Sequence, residues 1–214
     1  MKSTSFAVVR YAFLPKEYSV SADDLAFVPA MLRRRLSAVE KLALAAARKV
    51  EPADGANVPV VFASRFGEIQ KTEKLMRQFI TEGEISPAGF SLSVHNAAPA
   101  VYSLVAKNEK SYTALSGGAR SLETGLLDAL VGALPSIFVY AEEPPPALFE
   151  NEPEAAETPP GALALFLAEG ENFSLMPTFD GSTAPLSAGA LADFFSGKTG
   201  EKLVTKNFSI VRNK

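Results

Sequence analysis

Residues 111–141 read SYTALSGGARSLETGLLDALVGALPSIFVYA. Residues 111–116 make a short β-favouring run, and Gly117-Gly118 behind them permits a tight turn. Leu122, Leu126, Ala129, Leu130 and Ala133 then recur at helical spacing and mark one apolar face. Residues 136–141, SIFVYA, lack an apolar/polar alternation, as expected of a strand buried on both faces.

Upstream the same alternation continues. Residues 6–13, FAVVRYAF, read as a strand, followed by a polar stretch with Pro15 and Pro29. Ser37-Ala38-Val39-Glu40 has the form of a capping box, in which the serine and glutamate side chains satisfy each other's backbone N–H groups. Behind it Val39, Leu42, Ala43, Ala46 and Val50 predict a helix over 38–50 that stops before Pro52 and Gly55. Met31, Leu32 and Leu36 are expected to pack inward just ahead of it. VPVVFAS at 58–64 is a second doubly buried strand. A helix is predicted over 68–81, with Ile69, Met76, Phe79 and Ile80 on one face and Gly83 at its end. Ser86-Pro87 opens a loop, and 92–106, LSVHNAAPAVYSLVA, reads as mostly helical with Pro99 in a first turn.

Downstream, residues 142–160 hold six of the fifteen prolines and six glutamates, which reads as a surface loop. Residues 162–170 and 172–179 are predicted strands of a hairpin, 186–195 a helix and 202–212 a last strand. Alternating strands and helices predict an α/β fold, with a mixed, mostly parallel sheet, helices on both faces and antiparallel additions from the tail.

The 214-residue chain is 47% hydrophobic, enough for one ordinary core. Its net charge of −3 argues against nucleic acid or an anionic membrane as main partner. No window approaches the roughly 18 apolar residues of a membrane span, and MKSTSFAVVRYAFLP lacks the marks of a signal peptide. The chain has no cysteine, which excludes disulfides, thiolate metal sites and sulfur nucleophiles and fits a cytoplasmic location. His95 is the single histidine, so no mechanism can use two imidazoles. Its carboxylates are scattered without metal-ligand spacing; neither a metal nor another cofactor is expected.

Three segments carry a resemblance. Met31-Leu-Arg-Arg-Arg-Leu-Ser37, Phe62-Ala-Ser-Arg-Phe-Gly-Glu68 and Phe90-Ser-Leu-Ser-Val-His-Asn-Ala-Ala98, in this order of elements, resemble the short β-ketoacyl-synthase-like N-terminal domain family. That resemblance implies the N-terminal half of a thiolase-like fold over about residues 5–170, with 171–214 as a strand-helix-strand extension packed on the same domain. Proteins it resembles stand alongside fatty-acid, aryl-polyene and related polyketide pathways. A ketosynthase places its nucleophilic cysteine at a turn between a strand and a buried helix, whose N-terminus lowers the thiol pKa. The equivalent turn here is Ser116-Gly117-Gly118-Ala119-Arg120-Ser121. The resemblance therefore implies a non-catalytic partner or scaffold, paired with itself or with a true ketosynthase through the 111–116 strand.

The candidate residues each have a plainer reading. Ser116 or Ser121 with His95 would make an acyltransferase or hydrolase, but serine needs an adjacent base, and otherwise ends a strand or caps a helix. His95-Asn96 would face a pocket or subunit contact, or simply bind backbone. Gly117-Gly118 lacks the lysine or spacing of a nucleotide loop. Arg65 and Arg120 would contact a phosphopantetheine arm or carrier protein, or pair with nearby carboxylates. Arg33, Arg34 and Arg35 would dock an acidic acyl carrier protein, or form a solvated helix start. A further alternative is a module that holds an acyl chain in an apolar pocket.

Overall fold

The computed structural model describes residues 4–52, 55 and 57–213; residues 1–3 of the stretch read for a signal peptide lie outside them. In chain order the elements are β1 (Thr4–Leu14), α1 (Ala30–Arg33), α2 (Ala38–Val50), β2 (Val60–Ala63), α3 (Ile69–Glu82), α4 (Pro87–Phe90), α5 (Ala97–Ala106), β3 (Tyr112–Leu115), α6 (Ser121–Val131), β4 (Ser136–Glu142), α7 (Pro153–Ala156), β5 (Gly161–Pro177), α8 (Ala188–Phe195), β6 (Lys202–Val204) and β7 (Phe208–Arg212).

All seven strands join one mixed sheet in the order β3-β2-β4-β5-β7-β6, with β1 on the other flank of β5. β2 runs parallel to both β3 and β4, while β5 is antiparallel to β1, β4 and β7. Helices cover both faces. On one, α2 and α5 bury Val39, Leu44, Val50 and Tyr102 against Phe62 and Val139. On the other, α6 and α8 bury Leu122, Leu126, Leu130 and Leu191 against Phe138 and Leu165. Phe6, Phe173, Phe194 and Phe195 close this second core, with ring centroids between 5.1 and 5.9 Å apart.

Local chemistry sets the elements. The Ser37 hydroxyl accepts from the Glu40 N–H at 3.0 Å, and the Glu40 carboxylate accepts from the Ser37 N–H at 2.7 Å, completing the capping box. Gly83, in the left-handed region, ends α3. Pro99 sits in the first turn of α5, where its missing N–H costs nothing.

Several expectations are corrected. Residues 161–177 form one continuous strand, with no hairpin turn at Gly170. A Cβ at Gly170 would lie 2.7 Å from the Ala7 Cβ, so this glycine permits close approach of β1. The 202–212 segment splits into the antiparallel pair β6 and β7. α5 starts at Ala97, and 92–96 lie outside it; Ala133 is exposed beyond the end of α6. Met31 is 83% exposed and does not pack inward, whereas Leu36 is buried. Glu142 ends β4, and with Glu143 it is buried, so the acidic stretch begins inside the molecule.

Candidate functional site

Parallel pairing brings the C-terminal ends of β2, β3 and β4 to one edge of the sheet, where α/β folds gather functional groups. The turn from β3 into α6 sits there. Gly118 has φ +61, and the hydroxyl of Ser121 ties the turn by accepting from the Gly117 N–H at 3.0 Å and donating to the Gly118 carbonyl at 2.7 Å. Ser121 is the first residue of α6 and caps none of its N–H groups. A Cβ on Gly117 would stand 2.4 Å from Thr124 Oγ1, so the turn has no room for a side chain there.

Ser116 donates to the Arg65 carbonyl at 3.1 Å, and its Oγ lies 3.4 Å from that of Ser121. His95 Nε2 donates to the Leu115 carbonyl at 3.0 Å, which fixes the tautomer. Its Nδ1 faces Gly67, where a Cβ would approach to 2.4 Å, and its ring lies 5.8 Å from that of Phe62. The three polar groups that would make a serine hydrolase thus lie in one neighbourhood, but each binds a backbone carbonyl. Among the described residues no hydrogen bond joins His95 to either serine. Asn96 is exposed and makes no side-chain cap for α5.

The arginines are engaged. Arg65 reaches Glu157 at 3.2 Å, Thr158 at 2.9 Å and the Glu154 carbonyl at 3.3 Å. Arg120 meets both oxygens of Glu123 at 3.0 Å and also bonds the Thr183 carbonyl. Arg33 binds the carbonyls of Ala22 and Leu25, and Arg35 that of Ala88. Arg34 is exposed. A cavity of about 290 Å³ opens over Gly118 and Ala119, walled by Phe13, Tyr140, Thr158 and Leu186.

Sequence reasoning missed a set of buried carboxyls at this end of the sheet. Glu142 accepts from Ser64 at 3.0 Å and from the N–H groups of Arg65 and Phe66. Burial outweighs those bonds and pushes it up to about 7. Glu143 accepts from the N–H groups of Val39 and Gln70, and burial likewise raises it. Glu68 accepts from Ser37 at 3.0 Å; burial, and next to it the charge of Glu40, push it up to about 8. The only sequence signal was the capping box, which placed Glu40. No group of three or more potential ligands is disposed to hold a metal among the described residues, and no described helix is long and apolar enough to cross a membrane.

A second feature lies on α3. The face carrying Met76, Phe79 and Ile80 is 61%, 58% and 79% exposed, and with Leu75, Ile85 and Phe90 it lines a groove of about 370 Å³. Helical periodicity identified this face, but not that it stays uncovered among the described residues.

A mixed sheet whose parallel strands lead through a glycine turn into a buried helix is the architecture of the ketosynthase (thiolase-like) class. A family model for the β-ketoacyl synthase N-terminal domain matches residues 11–193, and the chain belongs to that family. Among solved structures it is similar to a chain in the complex of the ketosynthase ApeO with its chain length factor ApeC from Xenorhabdus doucetiae. That match has TM-score 0.76 and 23% identity and covers 97% of this chain and 99% of that one. It is also similar to the ishigamide ketosynthase/chain length factor (TM-score 0.57, 20% identity), covering 77% of this chain and 54% of that one. A third likeness is to a type II polyketide acyl-carrier protein complex with its ketosynthase (AntDE:AntF), at TM-score 0.60 and 14% identity, covering 84% and 71%. No curated protein matches.

Proposed function

We propose that this chain is a non-catalytic partner subunit of a ketosynthase in fatty-acid or polyketide assembly of the aryl-polyene type, acting in the cytoplasm as a chain-length-factor-like protein. The observation that carries the reading is the Ser116–Ser121 turn. By the resemblance to the family it corresponds to the nucleophile turn, yet the chain has no sulfur nucleophile, and Gly117 is packed against Thr124. An acyl-enzyme needs an activated nucleophile, and among the described residues no base hydrogen-bonds Ser116 or Ser121.

Two surfaces support a partner. Among the described residues β3 is an edge strand, paired with β2 alone. The α3 face offers contiguous apolar surface of the kind that marks an interface. A matching chain of nearly the same length occurs in a complex of a ketosynthase with its chain length factor. Arg34, exposed beside Arg33 and Arg35, is placed to meet an acidic carrier protein.

Co-expression with candidate ketosynthases tests this. The expected result is a stable one-to-one heterodimer, and no covalent label when the isolated chain meets acyl-loaded carrier protein. Acyl transfer to Ser116 or Ser121, or a monomer that leaves every such ketosynthase unchanged, would overturn it.

A further inference from the structure

α3 has fourteen residues and buries none of them, so apolar packing does not explain how it is held. Its anchorage is polar. Lys71, one turn into α3, binds the Glu40 carboxylate of α2 at 2.8 Å and the Leu92 carbonyl at 2.8 Å. Glu68, at the N-cap of α3, takes the Ser37 hydroxyl at the N-cap of α2. Glu143, just past β4, bridges the first turns of both helices through the Val39 and Gln70 N–H groups.

We propose that Glu40, Glu68 and Lys71 form a proton-dependent clasp, in which a proton on Glu68 holds the start of α3 against α2 and its loss frees that start. The charges decide this. Facing Glu68 are Glu40 from α2, Lys71 from α3 and Glu143 from the end of β4, so that with Glu68 itself three carboxyls share one ammonium. Glu40, Glu68 and Glu143 are 0%, 3% and 2% exposed, so water screens little of their repulsion. Within this cluster two buried oxygens have no hydrogen-bond partner among the described residues, Glu40 Oε1 and Glu68 Oε2, and the latter stands 3.4 Å from Lys71 Nζ. A proton on Glu68 removes one of the opposed charges and gives the carboxyl a donor of its own beside the unpaired oxygens. The value of about 8 given by burial and by Glu40 places its loss just above neutrality. The clasp acts within the free chain and does not depend on what covers α3.

Carbon-13 titration of the glutamate side chains and amide exchange across residues 69–76, both on the full chain, test it. One carboxyl is expected to titrate near 8, and its signal is lost in Glu68→Gln. After correction for intrinsic exchange, the opening constant of α3 should rise with pH by up to about tenfold per unit below that point, and rise clearly less steeply in Glu68→Gln, where only Glu143 keeps a linked proton. Should Glu68→Gln fail to fold, Lys71→Gln is expected to move the wild-type titration to higher pH, because the counter-charge is gone. Glutamates that all titrate in the ordinary carboxyl range, an α3 opening whose pH dependence is unchanged in Glu68→Gln, or a midpoint that Lys71→Gln leaves in place would each overturn the proposal.

Discussion

Gly125 lies in α6 where a Cβ would come within 2.5 Å of the Ala63 Cβ and 2.8 Å of Phe138 Cε2. Helix and sheet meet at that glycine, so Gly125→Ala should cost roughly 1–3 kcal/mol, read as a lower urea midpoint at unchanged slope. Gly117→Cys meets the same obstacle at Thr124. It should lower stability and yield no acyl-enzyme with loaded carrier protein, which mass spectrometry would show. Ser37 serves two partners, the Glu40 N–H and the Glu68 carboxyl. Its replacement by Ala should cost about 1–2 kcal/mol in thermal or urea unfolding. The roles of Ser37 and Glu40 were legible because a capping box is local. Those of Glu68, Glu142 and Glu143 were not. Glu142 and Glu143, beside prolines, and Glu68, at a helix start, all read as solvated, and only the convergence of β2, β4 and α2 puts these three inside.

At the scale of elements, the 38–50 helix, the 111–116 strand and its glycine turn were readable from periodicity and chain-breaking residues. β5 was not: Gly170 followed by Glu171 imitates a turn, and the contact with Ala7 that explains the glycine is distant in sequence. For the same reason 202–212 read as one strand, since Thr205, which breaks it, is buried and bonds its own hydroxyl to Phe208. α3 yields the prediction that tests the interface. Phe79→Glu combined with Ile80→Lys lies on solvent-facing positions and should change stability by no more than about 0.5 kcal/mol for each substitution. The same pair should abolish co-purification with a ketosynthase. An intact complex in a folded double variant would remove α3 from the contact.

Over the whole molecule the buried carboxyls set the pH response. Glu142 and Glu68 are raised to about 7 and about 8, and Glu143 is raised as well. The native state therefore keeps protons that the unfolded chain releases. Their stabilisation is complete below the ordinary carboxyl value of 4.5 and disappears as pH climbs through 7 to 8. Asp24, held low by Lys49, works in the opposite sense and loses its contribution in acid. The urea midpoint is expected to be lower at about pH 9 than at about pH 6. β5 has a larger consequence. This 17-residue strand carries the ladders of β1, from the beginning of the chain, β4, from its middle, and β7, from its end. It is a keel to which bow and stern are both fastened, so neither can come away without opening the hull. Heat should then dismantle the protein in one step, with calorimetric and van't Hoff enthalpies equal and no lighter vessel left afloat.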